Sequence, residues 1–148
     1  MPETVIFVGS SSSARSQTRA VIKAFTGPTL RFLPWWEAFT PGRTLLEELD
    51  AIRARVNGAL LVFSPESTTR VRGHKQEIPN LNVLFELGYF YGHFGKQRVA
   101  MLKYGDFYLP SDLGGYVHIF GSTTFKRGSS IKVGQRTRRE FQRWISRL

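Results

Sequence analysis

One carboxylate stands alone in the segment NVLFELGYFYGHFG (82–95): Glu86 is its single acid, set among Leu84, Phe85, Leu87, Tyr89, Phe90, Tyr91 and Phe94. A helix this apolar around its circumference has to be buried among other elements, so an ionisable group within it needs a reason. On a helical projection Asn82 and Phe90 fall one turn from Glu86 and Val83 and Tyr89 lie beside it, while Leu84, Leu87, Tyr91 and Phe94 form the opposite stripe. The projection predicts that the opposite stripe packs on the body and that Glu86 faces a cleft, gaining modestly from the helix dipole. A lone carboxylate can do chemistry where no second acid is required. Ordinary glycosidases need a second carboxyl group to protonate a poor leaving group. An N-ribosyl bond to a cationic nicotinamide needs none, because that ring departs neutral and one carboxylate can stabilise the oxocarbenium-like charge left on the sugar. The residues also permit a structural alternative, in which Glu86 pairs with an arginine such as Arg72 or caps its own helix.

Two further groups of residues can bind a ligand. GSSSSAR (9–15) offers hydroxyls, backbone N–H groups and a helix start to an anion such as a diphosphate, with Gly9, Ser10 and Ser11 as the contact residues. It is neither G-x-G-x-x-G nor a P-loop, and a plain helix-capping loop accounts for it equally. Trp35, Trp36 and Phe39 can stack on a base or a nicotinamide ring, or serve as core. The three histidines, 74, 93 and 118, lack metal-ligand spacing and no acidic cluster accompanies them, so no metal is expected. A phosphoacceptor role is excluded because the strand that would need an aspartate at its end reads VFSPES.

The elements that must position these groups alternate along the chain. TVIFVG (4–9) reads as a strand, followed by a serine loop and a helix with Ala14, Thr18, Val21, Ile22 and Phe25 on one face. TLRFLPWW reads as a second strand stopped by Pro34, EAFTPGR as a loop, and about 43–56 as a helix built on Leu45, Leu49, Ile52 and Val56. GALLVFSP (58–65) lacks polar alternation, as expected of a central strand covered on both faces. Residues 64–81 show no period and read as a long functional connection. The Glu86 helix follows, then strands at 98–105 and 116–121, and a last helix with Phe141, Trp144, Ile145 and Leu148 on one side. Alternation of this kind predicts an α/β fold, an open parallel five-stranded sheet with helices on both faces, whose ligands lie beyond the carboxyl ends of the strands.

Length and composition bound the rest. The 148 residues suit one domain spanning 1–148, with 125–148 as its basic C-terminal segment. The chain has no cysteine, which excludes disulfides and thiolate metal sites. No secretory signal precedes the first strand and no apolar run approaches the roughly 20 residues a bilayer requires, so a cytoplasmic location is expected. Of the +10 net charge, the segment from Phe125 onward carries seven, from eight basic residues against Glu140. It can be a solvated helix face, or meet nucleic acid or an acidic partner; nucleic acid is disfavoured because no recognised motif accompanies the arginines.

VIFVGSSSS, WEAFTPGRTLLEEL, GALLVFSPE, NVLFELGYFYGHFGKQRV and LPSDLGG, in this order over roughly residues 4–121, resemble the bacterial TIR-like nucleotide-binding domains of cyclic-nucleotide-activated antiphage effectors of the CBASS and Pycsar systems, including TIR–STING fusions. The resemblance implies a flavodoxin-like TIR fold and hydrolysis of NAD+, as substrate rather than cofactor, to nicotinamide and an ADP-ribose product. It places the catalytic role on Glu86 of FELG and makes WWEAFTPGR the loop that shapes the pocket and subunit contacts. It further implies self-association driven by a cyclic-nucleotide sensor outside this chain, which is then a fragment of a longer effector or a domain with a separate partner. One departure is Leu81, where an acid is expected. The combined expectation is an NAD+ glycohydrolase with Glu86 catalytic and Gly9, Ser10, Ser11, Trp36, Phe39, Arg72, Asn82 and Phe90 around the substrate. A non-catalytic TIR interaction module is the alternative.

Overall fold

The computed structural model describes residues 2–110, 113, 115–125 and 131–148. Ser111 and Asp112 of the LPSDL motif, and Lys126 and Arg127 of the basic segment, lie outside the described residues.

In chain order the elements are β1 (Thr4–Ser10), a 3-10 turn (Ser12–Ala14), α1 (Arg15–Phe25), β2 (Leu30–Pro34), α2 (Trp35–Ala38), α3 (Leu45–Arg53) and β3 (Gly58–Phe63). There follow β4 (Ser67–Val71), β5 (His74–Ile78), α4 (Leu81–Phe94), β6 (Val99–Lys103), β7 (Val117–Phe120), β8 (Thr123–Phe125), β9 (Ile131–Val133) and α5 (Gln135–Ile145). Five strands form a parallel sheet in the order β2-β1-β3-β6-β7, the α/β arrangement that the alternating sequence predicts. β1 to β2, β2 to β3 and β3 to β6 are each joined through at least one helix, as parallel pairing demands, whereas among the described residues no α-helix lies between β6 and β7.

The central strand β3 is GALLVF, buried at every position. Alternate residues of the sheet serve two separate cores. Phe7, Leu61, Phe63 and Met101 meet Leu49, Ile52, Leu87 and Phe90 of α3 and α4 on one face. Ile6, Val8, Leu60, Val62 and Leu102 meet Val21 of α1 and Phe141 and Trp144 of α5 on the other. Each of these large side chains contributes about 2 kcal/mol by leaving water, so the sheet is held from both sides.

Two local expectations need correction. Residues 64–81 are not a structureless connection: β4 and β5 pair as an antiparallel hairpin with Val71 opposite His74. Its turn residues Arg72 and Gly73 both have positive φ, 51° and 81°, the geometry of the two-residue turn that matches strand twist. The second strand stops at Pro34 as expected, but EAFTPGR is not all loop: Glu37 and Ala38 belong to the short helix α2, which Trp35 begins and in which the Phe39 N–H closes a turn onto the Trp35 carbonyl.

The helix ends follow from residue chemistry. α3 starts with a capping box in which Thr44 Oγ1 accepts from the Glu47 N–H and the Glu47 carboxylate accepts from the Thr44 N–H. The Asn80 side chain accepts from the N–H groups of Asn82 and Val83 and fixes the start of α4, while Gly95, at φ 79°, ends it. Among the described residues no helix is long and apolar enough to cross a membrane.

Candidate functional site

The phase of α4 differs from the projected one. Its buried residues are Val83, Glu86, Leu87 and Phe90, whereas Leu81 and Phe85 are exposed. Glu86 therefore lies on the helix face that packs against the sheet, not on the face opposite the packing stripe, and it is 4 % exposed. The apolar residues of this segment are spread so evenly around the helix that hydrophobicity does not fix its rotation; the fit of Phe90 against Phe7, with ring centroids 5.1 Å apart, does.

Although buried, the carboxylate sits at the chemically relevant end of the sheet. Its Oε2 rests against Gly9, the penultimate residue of β1, so closely that a Cβ at position 9 would overlap it and lie 2.7 Å from Leu61 Cδ1. Glycine is thus what allows the acid to approach the carboxyl end of the central strands. Oε2 has no hydrogen-bond partner. Burial pushes the Glu86 carboxyl up to about 8, and no neighbouring cation pulls it back. The alternative of an ion pair with Arg72 is not realised: Arg72 occupies the exposed turn of the β4–β5 hairpin. The capping alternative fails as well, because Asn80 provides the cap.

A polar and aromatic group gathers beside Gly9. The Trp35 indole N–H donates to Ser10 Oγ at 2.9 Å, and the Ser10 hydroxyl donates to the Ser11 carbonyl. Ser11 Oγ accepts from the Ala14 N–H, so this serine acts as the cap that the simpler reading of GSSSS requires. The Arg15 guanidinium lies 4.8 Å from the centre of the Trp36 ring and 5.6 Å from that of Trp35, while Arg19 adds a second cation over Trp36 at 5.5 Å. Arg15 Nε is buried without a partner. The start of α1 thus combines a helix N-terminus with a half-buried arginine that stacking holds in place, a combination suited to an anion.

The remaining expected residues divide. Phe39 is half-buried and stacks on Phe7 with centroids 6.1 Å apart, at the margin of the core. Phe90 is fully buried among Phe7, Tyr89 and Phe94, so its ring cannot flank a ligand; the rotation of α4 that buries Glu86 also buries Phe90. Asn82, one turn before Glu86, is exposed. Gly9, Ser10, Ser11, Trp36 and Glu86 are brought to one end of the sheet, whereas Arg72 is carried away on the hairpin.

Sequence reasoning missed two contributors. Arg15 follows GSSSSA directly, and its place in the first helical turn was the available signal. Glu48 is 4 % exposed, and its Oε1 accepts the Thr40 N–H at 2.9 Å, tying the TPGR loop to α3. Its spacing of three and four from Leu45 and Ile52 already put it on the buried face.

Residues 5–121 match the sequence model of the family described as "CAP12/Pycsar effector protein, TIR domain". Among characterised relatives, the chain is 32 % identical over 112 residues to CD-NTase-associated protein 12 of a Lachnospiraceae bacterium, covering 75 % of this chain and 35 % of the relative. It is 29 % identical over 110 residues to the Sphingobacterium faecium protein of the same name, covering 74 % and 34 %. Against the Pycsar effector protein BcPycTIR of Burkholderia cepacia it is 27 % identical over 132 residues, covering 87 % and 44 %. The chain thus spans between about a quarter and just under half the length of the curated relatives it matches. The matched segment contains the sheet through β7, the serine turn, the Arg15–tryptophan group and the FELG helix, and on that extent of agreement this chain belongs to the TIR-domain family of CBASS and Pycsar antiphage effectors.

Proposed function

We propose that the chain is an NAD+ glycohydrolase effector domain, acting in the cytoplasm. The observation that carries this reading is a single buried, unpaired carboxylate, Glu86, packed against Gly9 at the carboxyl end of the parallel sheet, where ligands of such folds bind. Ser10, Ser11 and Arg15 would hold the diphosphate and Trp36 would flank a ring. Glu86 would accept hydrogen bonds from the ribose hydroxyls and stabilise the charge growing at the anomeric carbon as nicotinamide leaves. Water then completes the product, so that NAD+ and water yield nicotinamide, ADP-ribose and a proton.

Burial gives this step a definite electrostatic requirement. The carboxyl is largely neutral at pH 7 in the free protein, and the cationic pyridinium ring lowers its pKa on arrival. Substrate binding and ionisation of Glu86 are therefore coupled. Exposed Leu46, Leu81 and Phe85 on α3 and α4, at 51 %, 65 % and 51 %, supply apolar surface for self-association, with a cyclic-nucleotide sensor outside this chain as the trigger.

The test is mass-spectrometric analysis of NAD+ incubated with wild type and Glu86→Gln, each forced to oligomerise by a fused assembly module. Wild type should release nicotinamide and the variant should not. Equal turnover by a folded, assembled Glu86→Gln would remove Glu86 from the chemistry. Intact NAD+ with assembled wild type would favour an interaction module instead.

A further inference from the structure

A concavity lies at the end of the sheet opposite Gly9 and Glu86. It has a volume of about 630 Å³ and is walled by Gln97, Tyr116, His118, Arg143, Trp144 and Arg147 among others. Gln97 and Tyr116 precede β6 and β7, so this cleft is at the amino ends of the strands, away from Gly9 and Glu86. Its far wall is α5, which lies beyond the residues 5–121 that match the family.

The lining has a definite chemical character. Arg143 and Arg147 are four residues apart and project to one side of α5 and its following turn. Among the described residues, no ion pair or hydrogen bond engages either guanidinium. The one acid in the wall, Glu140, does not neutralise them: its Oε1 accepts from Arg136 Nε at 3.0 Å and its Oε2 accepts from the Phe120 N–H at 2.9 Å. Tyr116 is half-buried and stacks on Tyr91 with centroids 4.0 Å apart, which fixes its ring at the edge of the cleft. Trp144 donates its indole N–H to the Gln97 carbonyl at 2.8 Å, tying α5 to the turn that precedes β6 so that the two walls hold their spacing.

Two free guanidiniums beside an immobilised aromatic ring, in a cleft of a size typical for small-molecule sites, match a phosphate joined to a planar base. We propose that this cleft is a second binding site, separate from the Glu86 site, for a phosphorylated nucleoside: Arg143 and Arg147 take the phosphate and Tyr116 takes the base. Lysine would serve poorly at either arginine, since a planar fork is what grips two phosphate oxygens at once.

Isothermal titration of the whole chain with AMP, adenosine and inorganic phosphate tests the assignment. AMP should bind at least tenfold more tightly than either fragment. The double variant Arg143→Ala/Arg147→Ala should lose AMP binding by tenfold or more, and Tyr116→Leu should weaken AMP while leaving inorganic phosphate unchanged. Glu86→Gln should not alter AMP binding at this cleft, which separates this result from the fate of the catalytic proposal. Equal AMP affinity in wild type and a folded double variant would overturn the site. So would binding of a short single-stranded oligonucleotide much more tightly than AMP, which would make the basic helix a strand-binding surface.

Discussion

Replacing Glu86 by glutamine should make the protein more stable at alkaline pH, and the size of the effect follows from burial. In the folded chain the carboxyl ionises at about 8, against 4.5 for an ordinary glutamate. The folded state thus holds its proton over a range in which the unfolded chain has released it. The contribution of Glu86 to stability is fully present below pH 4.5, falls as pH rises, and is lost above about 8. Each pH unit in that window costs about 1.4 kcal/mol, so the whole span comes to on the order of 5 kcal/mol. Glutamine does not titrate. Its amide leaves a buried donor in place of Oε2, a penalty of about 1–3 kcal/mol that is the same at every pH. Urea unfolding of wild type and Glu86→Gln from pH 5 to pH 9, followed by tryptophan fluorescence, isolates the effect, because every other titrating group is common to both proteins. The stability difference should swing toward the variant by several kcal/mol across the series. A difference independent of pH would mean that Glu86 is hydrated or paired in solution, and the dry carboxylate on which the catalytic reading depends would be gone.

Other outcomes follow from the same geometry. kcat/KM for NAD+ should rise from pH 6, reach half its maximum near pH 8 and level off about one pH unit higher as Glu86 ionises, and a profile flat across that range would separate Glu86 from the rate. Gly9→Ala forces a Cβ into Glu86 and Leu61; it should cost about 1–3 kcal/mol in thermal or urea unfolding and abolish NAD+ cleavage. Glu48→Ala leaves the Thr40 N–H without its acceptor and should destabilise by about 1–3 kcal/mol, whereas Glu48→Gln, which keeps an acceptor oxygen, should retain most of the stability. Arg15→Ala should raise KM for NAD+ about tenfold or more with a smaller change in kcat, and Arg15→Lys should not restore it, since lysine neither stacks on Trp36 nor presents a fork.

The sheet was readable because its strands advertise their surroundings. GALLVF has no polar position, and a strand with no polar position has no solvent face, so β3 had to be central. The α4 segment could be recognised as a helix but not phased. With Phe85 and Leu81 exposed and Leu87 and Phe90 buried, apolar residues point in nearly every direction and only packing against Phe7 and Met101 selects the rotation. The projection therefore put Glu86 on the wrong face while still identifying it as the unusual residue. The hairpin was missed for the opposite reason: STTRV and HKQEI are almost entirely exposed, so they carry no apolar alternation, and the turn uses Arg72-Gly73 rather than the usual Asn-Gly. Of the aromatic candidates, the sequence could not distinguish Trp36, stacked under two arginines, from Phe90, sealed in the core. That distinction depends on partners far away along the chain.

The β4–β5 hairpin gives an experimental handle on the buried acid. It runs from Phe63 at the tip of the central strand to Pro79 and Asn80 at the start of the Glu86 helix, yet both its strands are largely outside the core. A fluorophore or spin label attached near the Arg72–Gly73 turn would ride on the stretch of backbone that leads into that helix without entering either apolar layer. Its rotational freedom would report, in real time, when a neighbour or a ligand grips the end of the molecule where Glu86 is hidden.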